Sequence, residues 1–299
     1  MNMENERRRP AISVVLPAYN EEEALPVAAE LYLEAFRAAG MEGFEILIVN
    51  DGSGDGTGRI ADDLAHSDPR IRVIHHERNE GHMVACLHGF RKARGRVITW
   101  NGADVPFHPR DVERMLDEIR QGADVVVVER SNRSAYGIVR KIVSWSNVLI
   151  LRALFGSPFH DHNFVQFFRR EVLESMPIVS TGPSTMTAEM IFRAMRTGWR
   201  VVPATAEYHR RTLGKSTITA SIAVKALAET FELWRQMRAE RRQQRSDTRP
   251  ARAAGGPPGA GSRTIAEGDT KPWQRPRKNS GWRAVANRAC CLSCLRSRS

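Results

Sequence analysis

The feature that most limits what this chain can become is a repeating pair: a short apolar, β-branched run, then a turn and an amphipathic stretch. The runs lie at 12–16, 44–49, 71–75 and 97–100, and each reads as a strand. Between them, 22–39, the segment around 60–65 and 81–93 have helical spacing. In the first, Leu25, Ala28, Leu31, Ala35 and Phe36 lie on or near one face, and Gly40 stops it. Strand–helix alternation of this kind predicts a mostly parallel α/β sheet with right-handed crossovers and flanking helices. The pattern continues with a helix over 110–120, a strand over 123–128, an apolar segment over 138–155 and a short strand over 163–168. A helix over 187–196, a strand over 199–207 and a long amphipathic helix over 218–238 complete it.

The loops at the strand ends matter as much as the strands. Pro17 ends the first run, and Ala18-Tyr19-Asn20-Glu21 forms the loop after it. The second runs into Asn50-Asp51-Gly52-Ser53-Gly54-Asp55-Gly56-Thr57, and the fourth into Asn101-Gly102-Ala103-Asp104. Asn, Asp and Gly favour turns in any protein. In a parallel sheet, however, all three loops open onto one edge, the edge where α/β sheets bind ligands. Asp104 could hold a divalent cation on a phosphorylated substrate, or simply cap the helix that starts near Pro109. Acidic and amide groups on three strand ends favour a pocket.

Charge narrows the function classes. The chain of 299 residues carries +11, but Glu240–Ser299 holds 14 Lys/Arg against 4 Asp/Glu, leaving residues 1–239 nearly neutral. A nucleic-acid binder would be expected to carry its charge on the folded part. The expected organisation is a flexible start over 1–10, one domain over 11–240 and a disordered basic tail over 241–299. Of the four cysteines, Cys86 stands alone and Cys290, Cys291 and Cys294 crowd the tail, so no disulfide framework spans the domain and a reducing cytoplasm is expected. Residues 1–10 lack the apolar core of a signal peptide, and no uncharged apolar run reaches the roughly 18 residues of a transmembrane helix. The segment 138–155 carries Arg140, Lys141 and Arg152; it is either an amphipathic helix on a membrane surface or an ordinary core helix.

Taken in order, Val14-Val15-Leu16-Pro17-Ala18-Tyr19-Asn20-Glu21-Glu22 and Ile48-Val49-Asn50-Asp51-Gly52-Ser53-Gly54-Asp55-Gly56-Thr57 resemble the nucleotide-binding half of family 2 glycosyltransferases. Within that family the chain is most similar to the dolichol-phosphate mannosyltransferase type. The likeness extends to Asn79-Glu80-Gly81, the Asp104 loop, Gly122-Ala123-Asp124-Val125-Val126, Asp161 through Arg169, Ala188-Glu189 and Arg211-Thr212-Leu213-Gly214-Lys215-Ser216, so it spans roughly residues 10–235.

The resemblance implies an inverting, metal-dependent enzyme of the A-type glycosyltransferase fold, Rossmann-like, with a nucleoside diphosphate sugar as donor. Pro17, Tyr19, Asn20, Glu21, Asp51, Gly52, Ala103 and Asp104 would bind that donor. Asp51 would accept a hydrogen bond from the base or ribose, and Asp104 would bind Mg or Mn. The family's Asp-x-Asp is here Gly102-Ala103-Asp104: the first acid is missing and the second remains. Arg130, Arg133, Arg211 and Lys215 are the expected contacts to an acceptor phosphate. Asp104, Glu189, Arg130 and Lys215 are the expected catalytic set. Glu189 would be a general base for a hydroxyl acceptor, an orienting group for a lipid phosphate, or a solvated Glu at a helix start. The implied acceptor is a polyprenyl phosphate of the dolichyl or undecaprenyl type. The alternatives are a saccharide or other hydroxyl, or a nucleotide-sugar binding protein without catalysis. The expected location is cytoplasmic and peripheral on the inner membrane face. His160-Asp161-His162 is a weak metal motif, with Asp161 read as supporting the site from within, and the tail cysteines complete no zinc set.

Overall fold

The computed structural model describes residues 9–131, 138–182, 185–208 and 220–253, with side chains in the last and longest helices from 145 to 155 and from 226 to 243. The chain divides into residues 1–247 and 248–299; the first unit holds the sheet, and of the second only the end of one helix is described.

The order is β1 (Ile12–Ala18), α1 (Ala24–Ala38), β2 (Phe44–Asn50), α2 (Thr57–Ser67), β3 (Ile71–His75), α3 (His82–Lys92) and β4 (Val97–Trp100). A 3-10 turn (Pro109–Asp111) leads into α4 (Val112–Arg120), then β5 (Val125–Arg130) and α5 (Ile138–Phe155). After these come β6 (Gln166–Arg169), α6 (Arg170–Glu174), α7 (Met186–Thr197), β7 (Val201–Ala206) and α8 (Ala220–Ala253). The seven strands pair in the order β3-β2-β1-β4-β6-β5-β7.

The expected parallel pairing holds for β1 with β2 and β4, for β2 with β3 and for β5 with β7. β6 is the exception, antiparallel to both β4 and β5. The reason lies in the long connection from β5: Val128 N–H donates to Val165 O at 3.0 Å, so the chain returns at the edge where β5 finishes and β6 must run the other way. The strands are apolar on both sides because helices cover both faces. On one face Val14, Leu16, Ile46, Ile48 and Val126 pack with Leu25, Tyr32 and Phe36 of α1 and Met115 of α4. On the other, Val15, Leu47, Ile98 and Val127 pack with Met83, Cys86 and Phe90 of α3 and Met190 and Ile191 of α7.

α8 runs past the expected end at 238 to Ala253, across the boundary that composition drew at 240. Its Glu, Arg, Gln and Ala residues are good helix formers without an apolar stripe. Leu233 and Met237 are its buried anchors, and Arg196 of α7 donates to Met237 O at 3.0 Å. In α5, Val148 and Leu151 are buried and Phe155 stacks on Phe192 at 4.3 Å. Trp145 and Leu149, one turn apart, are 70% and 53% exposed. Phe155 therefore faces the core, whereas Trp145 and Leu149 face outward. Among the described residues, no helix is long and apolar enough to cross a membrane.

Candidate active site at the carboxyl edge of the sheet

The first two strand-end loops are tied together across the edge. Asn20 N–H donates to Ser53 Oγ at 3.0 Å, and Gly54 N–H returns a bond to Asn20 Oδ1 at 3.0 Å. Glu21 N–H donates to Thr57 Oγ1 at 2.8 Å, and Gly56 N–H to Glu22 Oε2 at 2.7 Å. Asn20 sits at φ 55°, a left-handed conformation that Asn tolerates because its short amide bonds locally. Asn50 is spent on the scaffold, accepting from Ser53 N–H at 3.2 Å and meeting His75 Nδ1 at 3.0 Å. Tyr19 is 48% exposed above this network.

Asp51, by contrast, is buried and holds three groups. Its Oδ1 accepts from Glu80 N–H at 2.9 Å and meets His76 Nδ1 at 2.8 Å, while Oδ2 accepts from Gly81 N–H at 2.9 Å. An ionised carboxylate offers about four acceptor positions, so this leaves about one for a ligand. Gly52 is required here: its φ is +67°, and a Cβ would run into the Arg78 backbone.

At the third loop the two polar residues part company. Asn101 turns inward and is fully buried, donating to Tyr32 Oη and to Phe107 O, both at 2.8 Å. Burial raises the Tyr32 phenol well above its ordinary range, so it stays protonated. Asn101 is thus a brace between β4 and α1 and does not stand in for the missing acid. Asp104 stays at the edge. A Cβ at Gly102 would meet Asp104 Oδ1, so the missing side chain leaves room for the Asp104 carboxylate to fold back over it. Val105 N–H donates to Gly102 O at 2.9 Å and closes the turn, with Val105 itself at φ 47°. A β-branched residue there is strained, as loops around ligand sites commonly are.

The expected acceptor residues look different in three dimensions. Arg130 places Nε 2.5 Å from Asp161 Oδ2 and a terminal nitrogen 2.8 Å from Oδ1, with its guanidinium over Phe164 and Tyr208. Arg130, also an expected acceptor-phosphate contact, forks onto this buried carboxylate and builds the β5 end. Asp161 is buried, and its carboxylate holds the Arg130 guanidinium in place. Glu189 is 0% exposed and accepts from Arg193 Nε at 2.7 Å and from Ser180 N–H at 2.8 Å. Arg193 in turn binds both oxygens of Glu240 at 2.9 Å. The solvated reading of Glu189 is corrected: it is a buried brace between α7, α8 and the preceding loop. Pro17 and Ala103 are placed at the edge with the residues above, whereas Arg133, Arg211, Lys215 and the tail cysteines lie outside the described residues.

His160, Asp161 and His162 go to separate partners: Arg152, Arg130 and Ser157. The cluster that does come together is His76, Glu80 and His88, which no sequence motif singled out. Its signal is a His just past a strand, a Glu four residues on, and a second His on the next helix.

Several known proteins resemble this chain. Glycosyl transferase family 2 matches residues 13–176. Polyprenol monophosphomannose synthase of Mycolicibacterium smegmatis is 32% identical over 73% of this chain and 85% of its own length. Undecaprenyl-phosphate mannosyltransferase of Micrococcus luteus is 30% identical over 72% of this chain and 90% of its own. Undecaprenyl-phosphate 4-deoxy-4-formamido-L-arabinose transferase of Pectobacterium carotovorum is 35% identical over 55% of this chain; the match spans about half of that relative, 50%. Glucosyl-3-phosphoglycerate synthase of Mycobacterium tuberculosis, solved with Mn2+, uridine diphosphate and phosphoglyceric acid, shares the fold. Its TM-score is 0.57 at 17% identity, covering 77% of this chain and 81% of that one.

Proposed function

This chain belongs to glycosyl transferase family 2, and from that premise we propose that it moves a sugar, with inversion, from a nucleoside diphosphate sugar to a polyprenyl phosphate. The donor side rests on the joined loops. Tyr19 offers an exposed ring to the base, Asp51 one remaining acceptor position, and Gly52 a close backbone approach. Asp104 is the acid that would hold Mg or Mn. One carboxylate completed by substrate phosphates and water is a usual magnesium set, so the residues fit. Such a cation supplies neutralising charge for the departing diphosphate.

The observation that carries the choice of acceptor is the burial of Glu189. A hydroxyl acceptor needs a base to take its proton; a phosphate monoester is already anionic and needs none. Glu189, the expected base, is closed off from solvent and held by Arg193, which supports the anionic acceptor. Lys215, Arg211 and Arg133 are proposed as its phosphate contacts. Trp145 and Leu149 offer an apolar face to the membrane that would carry such a lipid. The reading places the protein on the inner face of a membrane, with the tail's positive charge adding attraction at roughly 1 kcal/mol per basic residue near an anionic surface.

The test is a panel of labelled nucleoside diphosphate sugars offered with undecaprenyl phosphate in anionic vesicles and Mn2+. The expected result is label in the organic phase, absent without vesicles or lipid phosphate. Label on a soluble saccharide instead would move the acceptor to a hydroxyl; nucleotide-sugar binding without any transfer would mark a protein that has lost catalysis.

A further inference from the structure

Beside the donor edge, His76 comes directly after β3, Glu80 lies in the loop beyond it, and His88 projects from α3. His88 Nδ1 lies 2.9 Å from His76 Nε2, and their rings meet edge-on at 4.8 Å. Glu80 Oε2 is 3.9 Å from Nδ1 of each histidine. One ligand atom from each of the three residues falls within 4.8 Å of the others.

The histidine at the centre is oriented before any ligand arrives. Its side chain is only 6% exposed, and its Nδ1 is 2.8 Å from the carboxylate of Asp51, which is 2% exposed. Both Asp51 oxygens already accept backbone N–H groups, so the carboxylate acts as acceptor and His76 Nδ1 as donor, and Nε2 presents its lone pair toward His88. A carboxylate behind a ligating imidazole is the usual arrangement for fixing the tautomer and raising the basicity of a metal ligand. The bond from His88 Nδ1–H to His76 Nε2 occupies the place where a cation would bridge the two rings.

We infer that His76, His88 and Glu80 form a binding site for a divalent transition cation of the zinc class, with Asp51 as the positioning residue behind His76. Two imidazole nitrogens and one carboxylate oxygen make a three-ligand set whose fourth position is left to water or another ligand. Zinc–nitrogen bonds of about 2.0–2.1 Å in tetrahedral geometry separate two nitrogen ligands by roughly 3.4 Å, so the histidine pair opens by a few tenths of an ångström. The proton on His88 Nδ1 moves to its Nε2, and both ligand nitrogens then offer lone pairs. Glu80, at the surface, swings in. Imidazole ligands select zinc, nickel or copper over magnesium, which sets this cluster apart from the oxygen site at Asp104. Occupancy would tie the end of β3 to α3 around the loop whose Glu80 and Gly81 N–H groups hold Asp51.

The test uses the full chain with C290S, C291S and C294S, so that tail thiols do not compete. Zn2+ is titrated against a chromophoric chelator, Co2+ is tracked by its visible spectrum, and melting is recorded with and without Zn2+. The expected result is one Zn2+ per chain, a Co2+ band without sulfur charge transfer, and a melting point several degrees higher with zinc. His88→Gln and Glu80→Gln should each weaken zinc at least tenfold and abolish the melting shift. Both side chains are more than a third exposed, 39% and 37%, so the metal-free variants should melt as the parent does. No stoichiometric zinc in the parent, or affinity unchanged in both variants, would overturn the site.

Discussion

The two halves of the sheet edge use polar residues in opposite ways. On the side of β1, β2 and β3, the bonds run between loop backbones and short side chains, as in Asn20 with Ser53 and Gly54, or Glu21 with Thr57. Each such bond shapes a loop and leaves its outer surface open to a ligand. On the side of β5, α7 and α8, the polar groups are long charged side chains closed on one another: Arg130 on Asp161, and Arg193 on Glu189 and Glu240. Arg130 ties β5 to the segment at Asp161 and Arg193 ties α7 to α8 through Glu240, and their charge is spent in doing so. The first half is a preformed cradle. The second is a frame of ion pairs at the ends of β5, α7 and α8.

If that division is right, damage should separate cleanly into loss of fold and loss of chemistry. The largest effect expected is on stability, from Glu189→Ala. Removing the carboxylate leaves Arg193 Nε and the Ser180 N–H without their buried acceptor, with only Glu240 still on Arg193, and costs about 3–5 kcal/mol. Urea unfolding measures it; normal stability with abolished turnover would return Glu189 to a catalytic role and break the comparison. Asp104→Ala should do the reverse. Turnover should fall by about 10²–10³, the usual cost of losing one group that stabilises transition-state charge, while the melting point stays put. Full activity would mean that the metal is held elsewhere.

Gly52→Ala is expected to act on both, more mildly. A residue forced to φ +67° against the Arg78 backbone costs roughly 1–3 kcal/mol and shifts the loop beside Asp51. Nucleotide affinity by calorimetry should drop with it; unchanged affinity would place the donor away from this loop. The smallest effect is on pH dependence. Arg193 holds the Glu240 carboxyl below its ordinary value of 4.5. A lowered folded value contributes stability that is present above 4.5 and lost as pH falls through the lower one. Glu240 is partly exposed, so screening keeps the effect modest. Glu240→Gln should therefore lower the melting point modestly at neutral pH, leave it nearly unchanged at acid pH, and so flatten the acid limb; an equal loss at all pH values would mean that packing, not charge, holds α8.

The cradle was legible in the sequence because its information is local. Asn, Asp, Gly, Ser and Thr within a few residues of a strand end specify a turn, and parallel order brings the turns to one edge. The same locality grouped Asn101 with Asp104 at one strand end, although one position decides whether a strand-end side chain faces the edge or the core beneath it. The strand pattern could be read for the same reason, since helices on both faces demand runs that are apolar throughout. The antiparallel entry of β6 could not be read, because direction depends on where a long connection returns the chain.

What only the tertiary structure decided was the pairing of charges. Arg130 and Asp161, or Arg193 and Glu240, are 31 and 47 residues apart. A lone Arg in a sequence reads equally as a phosphate ligand or a solvated charge. Whether a carboxylate waits at the end of its side chain depends on packing between elements far apart in the chain, and so does the meeting of His76 with His88. Turn chemistry acts over a few residues and is written in order along the chain; burial and ion pairing act between surfaces that exist only after folding.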